Sequence, residues 1–211
     1  MQAFAISGMP KPSVWHAMPG FRLGRISANW RDAMGQATGI WLQTARLRLR
    51  PLTLLDEAGV LEGLNDPEIA SWLATTPYPY LSQDFGAYVA TAPEGETFAI
   101  HDGEGFSGLI GGGTELGFWV ARRAQGRGYA TEAAIGLLTA VFEFYRGPVS
   151  SGYFVGNTSS ATVLKKLGFQ EVGRGAKYCR SLEQVMDHVD MVISRQRFLS
   201  LHAGHSAACD R

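Results

Sequence analysis

Arg122, Arg123, Gly126, Arg127 and Gly128 crowd into one short turn. Just before them runs the apolar stretch Leu116 to Val120. Just after them Ala130, Ala133, Ala134, Leu137, Leu138, Val141, Phe142 and Tyr145 recur at spacings of three and four. The first pattern reads as a buried strand and the second as an amphipathic helix. The turn therefore stands at a helix N-terminus, where several backbone N–H groups lack intrahelical acceptors and the helix dipole is positive. Such an end binds phosphate. Glycine lets the backbone approach an anion closely, and arginine adds charge. Arg123-Ala124-Gln125-Gly126-Arg127-Gly128 thus reads as a pyrophosphate cradle. The plain alternative is an ordinary strand-to-helix turn with surface arginines.

Two common phosphate signatures are absent. No Gly-Lys-Ser or Gly-Lys-Thr follows a glycine at P-loop spacing. In Gly126-Arg127-Gly128-Tyr129-Ala130-Thr131 the third small position of a dinucleotide fingerprint is taken by Thr131. The segment does spell [Q/R]-x-x-G-x-[G/A] from Arg123 to Gly128. Three other stretches accompany it in order: "TARLRLRPL" from Thr44, "GNTSSATVLKKLGFQEVG" from Gly156 and "DHVDMVISRQRF" from Asp187. With these four segments, the sequence resembles the GNAT superfamily of N-acetyltransferases over about Thr44 to Phe198. Within it, the sequence is most similar to the Rim-type enzymes that acetylate ribosomal-protein N-termini.

That resemblance implies an α+β fold of three layers, αβα. Its central sheet is twisted, mixed but mostly antiparallel, with about seven strands and helices on both faces. It also implies acetyl-CoA as co-substrate and no metal. Carried onto this chain, the backbone of Phe118, Trp119 and Val120 is expected to pair with the pantetheine arm. The N–H groups of Gln125, Gly126, Arg127, Gly128, Tyr129 and Ala130 are expected to hold the pyrophosphate, with Arg123 beside them. Asn157 is expected to hydrogen-bond the pantetheine amides. Lys166, with Lys165, is placed to reach the adenosine end; a solvated helix face is the alternative, favoured for Lys165.

Acetyl transfer needs a neutral amine to attack the thioester, an oxyanion donor, and a leaving thiolate. A free lysine-type amine has a pKa of roughly 10, so a base or proton relay helps near neutrality. Glu115 opens the central strand and is the candidate base, acting through water, since the position is acidic in the Rim-type enzymes. Otherwise it is a polar residue at a hairpin edge. A backbone N–H near Val120 is the candidate oxyanion donor. Many relatives protonate the thiolate with a tyrosine that "NTSSATVLKKLGF" lacks, so Ser160 is the nearest substitute. Thr158, Ser159 and Ser160 equally suit helix capping. Trp72, Tyr78 and Tyr80 stand on a proline-stiffened turn and could wall the acceptor pocket, although core packing explains Trp72 as well. The acceptor is a primary amine on a small molecule, an amino acid or a protein N-terminus. The competing class is the same fold holding acyl-CoA as a sensor or scaffold without turnover.

The elements that must position these groups are legible along the chain. "ARLRLRPL" alternates as a half-buried strand, and Thr53 with Asp56 forms a capping-box pattern at a helix start. "DPEIASWLA" suggests a short helix, and Ser82 is placed to cap another through Ala90. "TFAIHD" and "FSGLIGGG" read as strands joined at Asp102-Gly103, followed by a strand "TELGFWVA". Gly147-Pro148 stops the long helix, and "VSSGYFV" reads as the next strand. Asn157 or Thr158 caps a helix that Gly168 ends, with Phe169 folding back on Leu164. "YCRSLEQVMDHVDMVIS" suggests two closing strands.

The 211 residues fit one domain over 41–200, with an extension over 1–40 and a short tail over 201–211. Apolar residues are 45% and the net charge is zero, which gives a real core and argues against a nucleic-acid partner. Cys179 and Cys209 form no CxxC pair, and the histidines form no ligand spacing. No secretory signal and no apolar run long enough for a membrane span is seen, so a cytoplasmic monomer or homodimer is expected.

Overall fold

The computed structural model describes residues 42–92, 96–111 and 113–202. The extension expected over 1–40, and the tail beyond residue 202, lie outside the described residues. Among the described residues, eight strands form two antiparallel sheets rather than the single sheet of about seven expected from the sequence. The first holds β1 (Leu42–Gln43), β2 (Arg48–Pro51), β3 (Thr97–Asp102), β4 (Gly105–Gly111) and β5 (Gly117–Val120), in that order. The second holds β6 (Val149–Phe154), β8 (Gln184–Ile193) and β7 (Gln170–Cys179), with β8 central. The two meet at a parallel bridge, Glu115 opposite Ser150.

Period-two alternation gives the sheet a different core on each face. Leu47, Leu49, Phe98, Ile100 and Ile110 turn to one side. There they pack under α4 (Tyr129–Phe144), α5 (Thr158–Leu167) and α6 (Arg195–His202), through Leu137, Leu138, Phe142, Leu164 and Phe198. Ala99, Leu109 and Trp119 turn to the other side. Val60 and Leu64 of α1 (Glu57–Leu64), Ile69 of α2 (Pro67–Ala70) and Phe85 of α3 (Ser82–Thr91) meet them there. Each fully buried Leu or Phe stabilises the fold by ~1.5–3 kcal/mol. Two cores on opposite faces make the layers αβα. Among the described residues no helix is long and apolar enough to cross a membrane.

The helix ends follow the sequence closely, with one change. Thr53 N–H donates to the Asp56 carboxylate at 3.0 Å, the expected contact ahead of α1. Arg50 grips the same carboxylate with both guanidinium nitrogens, at 2.9 and 2.6 Å. Burial would raise Asp56, but contacts from His101, Arg50 and Thr53 hold it down at about 2. Ser82, expected as the cap of α3, is instead its first residue: Leu81 stands at the cap, and its N–H donates to Asp84 at 3.0 Å. Asn157, not Thr158, caps α5. Gly168 ends α5 at φ +97°, and Phe169 N–H bonds back to Leu164 O.

The closing hairpin is longer than its sequence pattern. β7 begins at Gln170, eight residues ahead of the expected Tyr178. Its residues are mostly exposed, since it is the outer strand of its sheet, so no apolar alternation marks it. Pairing with the apolar β8 makes it a strand, an override of local propensity by tertiary context.

Candidate active site

The site begins where the sheets part. The strand expected from Thr114 pairs with β4 only from Gly117, because the residues before it are drawn to β6. Leu116 N–H donates to Ser150 O at 2.8 Å, and Ser150 N–H donates to Thr114 O at 2.9 Å. Beyond this bridge the strands diverge, and among the described residues β5 has no strand partner on its outer side. Ala121 N–H bonds to Ser107 O, and Trp119 stands opposite Leu109. In an antiparallel ladder the backbone groups alternate sides. Those of Trp119 therefore face β4, while those of Phe118 and Val120 face the gap. Trp119 differs from its two neighbours in the expected backbone trio, and its indole is core, tilted against the Phe106 ring with centroids 5.8 Å apart.

At the far end of the gap lies the arginine-glycine turn, and there the arginines do something other than expected. Arg123 binds Asp102 at 3.0 Å, Phe106 O at 2.6 Å and Ser107 Oγ at 3.1 Å, all on the β3–β4 hairpin. Arg127 pairs with Glu104 at 3.0 Å, and Arg122 grips Asp66 with two nitrogens, at 2.7 and 2.8 Å. Burial would raise the Asp102 carboxyl, but Arg123 and the Glu104 N–H hold it at about 2. The guanidinium groups thus staple the turn to its surroundings. Gln125 is also committed: its N–H donates to Arg122 O at 3.3 Å, and its side-chain amide donates to Val120 O at 3.0 Å. The free donors start one residue later than expected. Among the described residues, the N–H groups of Gly126, Arg127, Gly128, Tyr129 and Ala130 find no acceptor. Gly126 at φ +73° and Gly128 at φ +79° curl them into one concave surface at the start of α4.

If Arg123 is a staple, Arg123→Gln leaves the Asp102 side chain, only 3% exposed, without its ion-pair partner and with the Glu104 and Gly105 N–H donors remaining. The expected cost is ~1–3 kcal/mol of stability. Acetyl-CoA affinity should change little. Chemical denaturation with and without acetyl-CoA measures both; a large loss of affinity at unchanged stability would return Arg123 to the phosphate.

Beside the bridge, between β5 and β6, opens a cleft of about 950 Å³, its open mouth included. Glu115, Phe118, Asn157, Ser160, Trp72 and Tyr80 all line it, so the fold gathers residues far apart in sequence. Tyr80 contributes only an edge: it is 2% exposed, and Asn65 clamps its backbone on both sides at 2.8 Å. Burial pushes its phenol well up. Tyr78 is exposed and does not line the cleft. Asn157 spends its side-chain oxygen on Ser160 N–H at 3.0 Å, which orients Ser160 on the first turn of α5. Lys165 and Lys166 are exposed in the last turn of α5, away from the lining. His101 and Asp84 offer no substitute base, since one pairs with Asp56 and the other caps α3.

Sequence reasoning missed three groups. Arg46, read only as part of a strand, reaches from the β1–β2 loop to Glu132 at 2.6 Å. Its guanidinium lies 4.9 Å from the Tyr129 ring centre, at the rim of the free N–H groups. His188 and Lys177 line the cleft from β8 and β7. No spacing signals them; only the hairpin pairing brings them in. Among the described residues no cluster of three or more His, Cys, Asp or Glu could hold a metal.

Comparison with known proteins gives one family. The model of the acetyltransferase (GNAT) domain matches residues 46–170. No curated protein matches the chain. Among solved structures, a GNAT-family acetyltransferase from Bacillus anthracis is 22% identical, with TM-score 0.64, covering 74% of this chain and 98% of its own. Spermidine N-acetyltransferase from Vibrio cholerae, solved with CoA and spermine, is 19% identical, with TM-score 0.62, covering 74% of this chain and 99% of its own. Ribosomal-protein-S5-alanine acetyltransferase from Vibrio fischeri is 16% identical, with TM-score 0.62, covering 76% and 99%.

Proposed function

This chain belongs to the GNAT acetyltransferase family, and we propose that it moves the acetyl group of acetyl-CoA directly onto a primary amine within a ternary complex. The observation that carries the reading is the single gap bounded by two sets of unpaired backbone groups. The outer edge of β5 offers Phe118 and Val120 as a strand partner for the pantetheine amides. The N–H groups from Gly126 to Ala130 face the pyrophosphate, with Arg46 at their rim. Val120 O is already held by Gln125, so Val120 N–H is the donor left for the oxyanion. Asn157 holds the pantetheine with its remaining amide N–H groups. Lys166 contributes at most a distant charge to the adenosine end.

In the transfer the ammonium first loses a proton, through water, to Glu115, the neutral amine nitrogen attacks the thioester carbon, and the adduct nitrogen sheds its second proton. The C–S bond then breaks, with its electron pair on sulfur. Ser160, on the cleft wall, is the candidate to give that sulfur a proton, which solvent then replaces on its hydroxyl. The acceptor enters from the side walled by Trp72 and Tyr80. Among the described lining residues, Glu115 is the only carboxylate, and Lys177 lines the same cleft. A polyamine needs several carboxylates to hold its charges, so this lining suits a single amine on a small molecule, an amino acid or a peptide N-terminus better. That last acceptor is the one in the Rim-type branch.

The test is release of free CoA from acetyl-CoA across polyamines, amino acids, aminoglycosides and N-terminal peptides. Thermal shift with acetyl-CoA, ATP and NAD runs in parallel. Turnover with single amines above polyamines is expected. An acetyl-CoA shift with no turnover on any amine would instead favour an acyl-CoA sensor or scaffold.

A further inference from the structure

His188 is buried, 8% exposed, yet half of its hydrogen-bonding capacity is unspent. Nδ1 lies 3.1 Å from Asp190 Oδ1. Nε2 has no partner among the described residues. The ring leans across β6 at Gly152, where a side chain would collide with it: Nε2 lies 2.8 Å from the place a Cβ would take. Gly152 is two residues beyond Ser150, the bridge to Glu115, so the Nε2 edge overlies the part of β6 that leaves the bridge for the gap. Phe154 packs its ring edge-on against the imidazole at 5.5 Å and fixes its tilt. His188 and Glu115 line the same cleft.

A carboxylate at Nδ1 selects the tautomer that carries its proton there, as second-shell carboxylates do for histidines in general. Nε2 is then a lone pair. The groups that share the cleft set its charge. Burial disfavours the imidazolium first, and the Lys177 ammonium on β7 adds to that, while Asp190 on β8 opposes both. Tyr153 of β6, Tyr80 ahead of α3 and Tyr88 within it also line the cleft as phenols, and Glu115 as the remaining carboxylate. The imidazole is thus held neutral at physiological pH, with an open acceptor nitrogen.

Acetylating an ammonium removes two protons from nitrogen. Glu115 accounts for the first, which frees the amine to attack. The second leaves the nitrogen of the tetrahedral adduct, where the new bond to an electron-poor carbon makes the N–H far more acidic than in the free ammonium, so a weak base suffices. We propose that His188, held by Asp190, is that second proton acceptor. The adduct's N–H proton passes to Nε2, the carbonyl re-forms, and the C–S pair departs on sulfur. The imidazolium returns to neutral by releasing its proton to solvent at the cleft mouth. The inference rests on the acetyl-transfer reading.

Two measurements test it. Nitrogen NMR of the histidine-labelled protein, assigned by loss of the signal in His188→Gln, should show a protonated Nδ1 and a bare Nε2. Its titration midpoint should rise in Lys177→Met, which removes a neighbouring positive charge, and fall in Asp190→Asn, which removes a negative one. The acid limb of kcat/KM, with one acceptor throughout, should move the same two ways, because the base works only when neutral. His188→Gln should lower kcat/KM by ~10²-fold or more, with the acetyl-CoA thermal shift kept. A bare Nδ1, or a limb that ignores both Lys177→Met and Asp190→Asn, overturns the proposal. Wild-type kinetics in His188→Gln would overturn it alone; a wild type that acetylates no amine would overturn it together with the acetyl-transfer reading.

Discussion

Gly128→Val is expected to abolish the stabilisation that acetyl-CoA confers, while leaving a folded protein. Gly128 stands at the N-cap of α4 with φ +79°. A β-branched residue is strongly disfavoured there, because its Cβ meets the backbone. Relieving that strain swings the N–H groups from Gly126 to Ala130 out of their shared concavity. The cradle rests on backbone donors, not on Arg123 or Arg127, so nothing else replaces them. At 100 times Kd the wild type gains ~2.7 kcal/mol from the ligand, and that increment should vanish. Gly128→Asn is the companion variant, since asparagine tolerates the left-handed region; it should keep part of the shift. Thermal unfolding with and without acetyl-CoA reads both. A folded Gly128→Val protein with an undiminished shift would show that the pyrophosphate binds elsewhere.

Glu115→Gln should lower kcat/KM by ~10²–10⁴ and leave acetyl-CoA affinity nearly unchanged. Glutamine keeps the shape of the side chain and its backbone bridge to β6 but cannot take a proton. The deficit should shrink as pH rises, because a larger fraction of the acceptor amine is then already neutral. It should also be smaller for an acceptor of low amine pKa. Ser160→Ala is the contrast: a serine that only helps the thiolate leave gives a smaller loss, one insensitive to the acceptor. Rates across pH with a high-pKa and a low-pKa amine separate the two. Wild-type rates for Glu115→Gln with the high-pKa amine near neutrality would remove Glu115 from the chemistry.

What was legible in the sequence is local. The apolar spacing from Ala130 to Tyr145 needed only helical geometry, and α4 is where it placed the helix. Gly168 and Asn157 mark helix ends through their own backbone and side-chain preferences, and both do so in the structure. The family resemblance added the order of the segments and the expected roles of their residues. β7 was shortened in the reading because an outer strand carries no apolar alternation of its own. Ser82 was misplaced by one residue, since serine and aspartate compete for the same role at a helix start.

The tertiary structure decided which side of each group is used. Composition shows that arginines stand in the turn, but only folding brings Asp66 to Arg122, Asp102 to Arg123 and Glu104 to Arg127, and so engages all three in ion pairs. The sequence names Trp119 between Phe118 and Val120; sheet pairing sends its backbone to β4 and leaves the other two facing the gap. His188 and Lys177 lie on β8 and β7 and Glu115 at the isolated bridge ahead of β5, and no spacing along the chain relates them. Local propensity acts over a turn or two of chain. The chemistry of this cleft depends on contacts between segments scores of residues apart, and these exist only once the two sheets have met and diverged.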